Sequence, residues 1–385
     1  MSKKADSISG LKVINDTTLE VTLTAPITYF LAKLTYPTAE VIDVTSTFSG
    51  KDKWMYSPNS SGPYKIKDYK KNEDIVFERN MNYPQPAKIP FLAFLFGGGP
   101  TLDLYGDGTL DLAGVEESDV AQASKASDPL HNDLHSIPSL CTNFIQLNPT
   151  MPPLDDINVR RALALAIDKT AFVEQQTENT ALVANSILPP AMPGFLAGQA
   201  QPGFDPAAAK AALAASKYTR NMPPVILAAA GYGDAKRKDV AQIVDMWQKN
   251  LGITVQVQYL DPLNFTGAAR ASTANAMLYG WCADYPDPQN FLDVLFHSQS
   301  DFNVSRFSDA DFDKLVEQAG TEKDTQQRLA LYQQAEKMLL DNVDAIPLLN
   351  PVFYELVQPR VKGYIMTPIG INQYAWLTLE KTGQP

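Results

Sequence analysis

Apolar and polar residues alternate along residues 11–23, LKVINDTTLEVTL, in two runs separated by Asn15 and Asp16, and this period of two predicts a β-hairpin almost at once. The segments YKIKDY (64–69) and DIVFERN (74–80) repeat the pattern around a polar turn, and the apolar run 89–96 predicts a further strand. Between the hairpins, residues 29–34 read as a short helix and residues 57–63 as a loop rich in Ser, Pro and Gly. From residue 141 the period lengthens. Residues 156–176 place Val159, Leu163, Ile167 and Phe172 or Val173 on one face, with Asp155 or Asp156 as N-cap, which predicts one long amphipathic helix. Residues 206–218 read as a second helix, opened by Asp205 and Pro206. Strand 225–230, helix 236–250 and strand 253–260 make a βαβ unit with Gly252 at the helix exit. The apolar run 276–283 predicts a buried strand that stops in the stretch ADYPDP. Helices 309–318 and 325–342 and the strand-like IPLLNPVFYELVQ complete the pattern.

At 385 residues the chain is long for a single core, so two domains or lobes are expected, and 45% hydrophobic against 19% charged residues supplies apolar material for both. A net charge of −11 without clustered Lys and Arg argues against a nucleic-acid partner, because phosphate contacts are cationic. No apolar run reaches the roughly 18–20 residues that cross a bilayer. The opening MSKKADSISG has lysines with no apolar segment behind them, so no secretion signal is visible. Cys141 and Cys282 are too few for a disulfide scaffold or a cysteine-only metal site, and on count alone they read as separate buried thiols. His131 and His135 share an i, i+4 spacing, but HNDLH lacks the acid of HExxH, so neither a metal nor another cofactor is expected.

Catalytic motifs are scarce. There is no GxSxG, and YGDGTLDLAGV (105–115) carries neither GxGxxG nor GxxxxGK[ST], so it reads as a turn between helix and strand. In GWCADYPDPQNFL (280–292), Asp284 and Asp287 admit a hydrolase with a carboxylate pair, whereas Cys282 lacks a histidine to activate it. Binding is the stronger reading. An ionised carboxylate removed from water needs a cation, and the α-amino group of a ligand supplies one. Asp284 takes that role, and Asp287 caps a helix beginning near Pro288. Trp281 is equally a core ring or an aromatic wall beside a ligand.

Four stretches, in order, carry a resemblance to the family 5 solute-binding proteins of ABC transporters, the oligopeptide and dipeptide binders. They are GLKVINDTTLEVTLTAPITYFL (10–31), SSGPYKIKDYKKNEDIVFERNMNY (60–83), PPLDDINVRRALALAIDK (152–169) and GWCADYPDPQNFL (280–292), and YGDGTLDLA (105–113) is similar to the family's GxxD turn. The resemblance implies an α/β, two-lobed, periplasmic-binding-protein-like clam of type II, cluster C. Lobe I comprises residues 1–140 plus 352–385 and lobe II residues 141–351. Lobe I is expected to be incomplete, an amino-terminal truncation, because the likeness begins well inside the family's pattern. The strand at Gly280 to Cys282 is implied to pair with a peptide backbone, with Asp284 on the ligand amine and Tyr279 and Trp281 lining the site. Cys141 and Cys282 fall where some members carry a disulfide, which implies a bridge and an extracytoplasmic location. Leu278 stands where some tripeptide-preferring members have an arginine for the ligand carboxylate, so ligand length stays open. The implied partners are a peptide or related small solute and the permease subunits of an ABC importer, the protein itself being a monomer and not an enzyme. A remnant that folds without binding is a further alternative.

Overall fold

A computed structural model describes residues 8–49, 56, 58–198, 203–232 and 237–380. Residues 1–7, Ser57 at the start of the expected loop and Lys236 at the start of an expected helix lie outside them.

The first alternating pattern becomes β1 (Leu11–Asn15) and β2 (Thr18–Val21), antiparallel, with Asn15 Oδ1 accepting from the Thr17 amide at the turn. After α1 (Phe30–Lys33) and α2 (Val44–Ser49), strands β3 (Tyr64–Lys70), β4 (Asp74–Arg79) and β5 (Phe91–Leu95) form an antiparallel meander. Next come α3 (Thr101–Gly106), β6 (Leu112–Gly114), α4 (Glu117–Ala123) and β7 (Leu134–Pro138). Gly108, at φ 82°, makes the turn between α3 and β6.

Residue 141 opens a different architecture. In chain order it contains β8 (Cys141–Leu147), α5 (Ile157–Leu165), α6 (Lys169–Thr177), β9 (Leu182–Val183), α7 (Pro206–Ala214), β10 (Val225–Ala230), α8 (Lys238–Leu251) and β11 (Val255–Leu260). It continues through α9 (Phe265–Ala271), β12 (Ala276–Cys282), α10 (Gln289–Phe296), α11 (Ala310–Thr321), α12 (Thr325–Asp341) and β13 (Ala345–Asn350). The strands form one sheet of order β11-β10-β12-β8-β13-β9, and β10 and β11 run parallel as the βαβ unit requires. Gly252 ends α8 in the left-handed region at φ 69°, its amide donating to Gln248 O. One face of the sheet buries Ile145, Leu163, Val240, Trp247 and Leu278. The other buries Phe144, Phe291, Phe312 and Tyr332 beneath α10, α11 and α12.

The single helix expected over 156–176 is two helices. Asp156 caps α5 by accepting from Asn158 N, and Asp168 caps α6 by accepting from Ala171 N at 3.0 Å. Val159, Leu163, Ile167, Phe172 and Val173 still face one core across the break, so periodicity conceals it. The helix expected over 206–218 stops at Ala214.

From β13 the chain returns to β14 (Val352–Val357), which pairs with β6 and β7, and closes with β15 (Val361–Lys362) against β16 (Thr378–Leu379). The two crossings between the sheets lie together: Ser139 N and Oγ both donate to Pro351 O, at 2.9 and 2.7 Å. A second link joins the amino-terminal region to the helical layer, where Thr28 N donates to Gly320 O at 3.0 Å and the Tyr29 ring stands over Gly320.

Candidate functional site

Strand β12 has unequal neighbours. On one side β8 pairs with every residue from Ala276 to Cys282. On the other, β10 pairs only with Ala276 and Met277, so among the described residues the backbone from Leu278 to Cys282 keeps an unpaired edge. Such an edge is a template for an added strand.

Cys141 and Cys282 are the last opposed pair of the β8–β12 ladder, with Cα atoms 4.0 Å apart, and they are joined by a disulfide. Strand register brings them together, which replaces the reading of two separate thiols drawn from their number alone. Gly280 faces Asn143 across the same ladder. A Cβ there would stand 2.5 Å from Asn143 Oδ1, so a larger residue would require the Asn143 carboxamide to turn away.

Alternation along β12 turns Leu278 and Gly280 to one face and Tyr279 and Trp281 to the other. The latter two belong to an aromatic row: ring centroids are 5.6 Å apart for Phe265–Tyr279, 6.2 Å for Tyr279–Trp281 and 5.4 Å for Trp281–Phe302. Trp281 packs against the core beneath α10–α12 yet remains partly exposed, and its Nε1 donates to Asn290 Oδ1 at 3.0 Å.

Asp284 follows two residues after β12. Its amide donates to Asn290 Oδ1 at 3.0 Å and its Oδ2 accepts from Asn290 Nδ2 at 3.3 Å. One carboxamide thus positions both Trp281 and Asp284. The Asp284 carboxylate is partly exposed and has no Lys, Arg or His ion-pair partner among the described residues. Asp287 differs. It is buried, Arg328 Nη2 lies 2.6 Å from both its oxygens, and it accepts from Gln289 N at 3.0 Å. It stands one residue ahead of Pro288, which rather than Asp287 is the N-cap of α10. The two carboxylates of ADYPDP thus differ in environment, Asp287 being held by a guanidinium. Between them, burial pushes the Tyr285 hydroxyl up to about 12.

Beside Gly280 opens a cavity of about 470 Å³, lined by Phe172 and Gln176 of α6, Arg237 and Asp239 at the start of α8, and Glu117 of α4. Arg237 is held in place: Nε and Nη2 donate to the Asp239 oxygens at 3.1 and 2.5 Å, and Nη1 donates to Ala230 O at 2.9 Å. From sequence, Asn290 is an ordinary first-turn helix residue, and Arg328, Arg237, Asn143 and Glu117 carry no motif. Gly280, a lone glycine in an apolar strand, was the one local sign of a close approach. His131 lies in a single 3-10 turn and His135 opposite Glu355 in β7, and no group of three or more metal-ligating side chains occurs among the described residues.

The family model of bacterial extracellular solute-binding proteins, family 5 Middle, matches residues 1–303. The chain belongs to this family. The periplasmic oligopeptide-binding protein OppA of Salmonella typhimurium is 30% identical over 376 residues, spanning 94% of this chain and 68% of that protein. The solved structure of HbpA2 from Haemophilus parasuis matches with a TM-score of 0.80 at 26% identity, covering 96% of this chain and 75% of that one. DppA from Helicobacter pylori, solved in complex with the peptide STSA, shares the fold at a TM-score of 0.74 and 22% identity, over 97% and 74% of the two chains. This family 5 solute-binding protein therefore has the two-lobed α/β fold of periplasmic binding proteins, and its role is to bind a solute for an ABC transporter. Among the described residues no helix is long and apolar enough to cross a membrane.

Proposed function

We propose that this family 5 solute-binding protein takes a peptide between two lobes, residues 1–140 with 352–385 and residues 141–351, and delivers it outside the cytoplasm to the permease of an ABC importer. One observation carries this reading: the unpaired edge of β12 ends two residues before Asp284, a carboxylate without an ion-pair partner among the described residues. An extended peptide along Gly280 to Cys282 satisfies its backbone whatever its side chains, and its protonated amino end falls beside Asp284. Tyr279 and Trp281 flank the ligand, and the bridge at Cys282 anchors the end of the edge. The adjoining crossings at Ser139 and Pro351 serve as the hinge. The relatives support a peptide ligand, since OppA is named for oligopeptides and DppA was solved with one. The disulfide suits an oxidising compartment.

Calorimetric titration with tetra-alanine and its N-acetylated form tests the anchor. Free tetra-alanine is expected to bind about ten- to a hundredfold tighter than the acetylated peptide, and Asp284→Asn to abolish the difference. Equal affinities in the unaltered protein, or an undiminished difference in the variant, overturn the assignment.

A further inference from the structure

The last turn of a helix leaves its carbonyls without partners inside the helix. In α11 one of them, Gly320 O, accepts from Thr28 N at 3.0 Å and from Thr28 Oγ1 at 3.4 Å. A residue 292 positions away thus closes the end of this helix. Tyr29 extends the contact. A Cβ at Gly320 would find Tyr29 Cε1 at 3.5 Å and the Tyr29 oxygen at 3.8 Å, and among the described residues these are the only atoms beyond its own helix and chain neighbours within 4 Å. A methyl group fits there, whereas a longer side chain and the tyrosine ring compete for one space. From α1, Lys33 Nζ stands 4.9 Å from the ring centroid and steadies it from its own region. Tyr29 is half-buried, and burial followed by the charges of Asp293, Tyr285 and Asp287 pushes its hydroxyl above the usual range, with Arg328 opposing. Tyr285 and Asp287 follow directly on Asp284, so the ring lies close to the stretch that carries the ligand anchor. The partners belong to different regions. Thr28 and Tyr29 precede the crossing at Ser139 and Gly320 follows it, so a rotation about the crossings draws Thr28 away from Gly320 and breaks their bond.

We propose that Thr28 and Tyr29 form a latch between the lobes, closing the end of α11 and covering Gly320 only when the lobes are drawn together. The inference rests on the two-lobed, peptide-closing reading above and adds a conformational control to it. A contact made in only one of two arrangements shifts their populations by its own free energy. The latch therefore raises the affinity for a peptide that closes the lobes and slows its release, acting from the Gly320 end of α11 rather than from the free edge of β12.

Tyr29→Ala and Gly320→Leu cut the latch from its two sides, and Gly320→Ala is the control that leaves the ring its place. Calorimetry and stopped-flow kinetics with tetra-alanine on the full chain read the effect, the melting temperature of each variant verifying its fold. Both cutting variants are expected to bind about three- to tenfold more weakly, through faster dissociation at an unchanged association rate, and Gly320→Ala to bind like the unaltered protein. Small-angle scattering of the peptide-free chains adds a measurement that needs no ligand, in which both cutting variants are expected to shift to a larger radius of gyration. Affinity within about twofold of the unaltered protein in either folded cutting variant, or an equal loss in Gly320→Ala, overturns the latch while peptide binding stands. If tetra-alanine does not bind the unaltered protein, the peptide reading falls and scattering alone judges the latch, equal radii overturning it.

Discussion

β1 and β13 both carry strong strand signals and meet opposite fates. Every residue of β1 and β2 is exposed, Val13 at 77% and Leu19 at 58%, whereas all six residues of β13 are buried. The difference is what covers them. β13 lies between β8 and β9 with α6 and α12 packed against it, while β1 pairs with β2 alone among the described residues. A pattern of alternation specifies a pleat and a pairing register; it does not supply the second layer that removes a face from water. A two-stranded hairpin is marginal by itself, so the stabilising burial of this chain is concentrated after residue 140.

The largest blow to that asymmetry is to open the bridge on the buried side. Cys282→Ser is expected to lower the stability of the six-stranded unit by about 4–5 kcal/mol in the chain-entropy model, for a sequence separation of 141 residues. Urea unfolding measures it, and a loss below about 1 kcal/mol would mean that the unfolded chain is little freed by breaking the bridge. Next is a direct contrast of the two regions. Ile145→Ala in β8 is expected to cost about 2–5 kcal/mol, and Val13→Ser in β1 to stay within about 0.5 kcal/mol, so equal shifts in the urea midpoint would erase the distinction.

The smallest expected effect is a pH slope confined to the buried region. Burial raises the Asp344 carboxyl from 3.8 to about 7, against the opposing pull of Arg160 Nη2 at 3.5 Å. A carboxyl raised in the folded state keeps a proton that the unfolded chain has released. Its contribution is therefore full below 3.8 and is lost as pH rises through about 7. The melting temperature is expected to fall by a few degrees more between pH 5 and pH 8 in the unaltered protein than in Asp344→Asn, and identical slopes would place the titration elsewhere.

Local signals identified the hairpins, the βαβ unit, the strand ending in the ADYPDP stretch and the four segments that carry the family resemblance, because each depends on neighbours within a few residues. They missed the break between α5 and α6, where Asp168 caps a new helix without disturbing the apolar spacing. The site was half legible. Asp284, Trp281 and Gly280 stand in one short stretch, but Asn290, which holds the first two, and Glu117, which lines the cavity beside Gly280, have no local signature.

From its sequence alone the chain determined which segments become strands and helices, that two lobes are needed, and that an acid, a ring and a glycine meet at the end of one strand. Tertiary structure decided the rest. Sequence reasoning turned Asp284 toward a ligand and Asp287 toward a helix start, but no local signal shows which of the two meets a protein cation. Asp287 is neutralised by Arg328, 41 residues along the chain, while among the described residues Asp284 has no ion-pair partner and β12 keeps a free edge because β10 stops pairing after Met277. Those outcomes depend on long-range register and on which charge arrives beside which, and neither is encoded in the spacing of neighbouring residues.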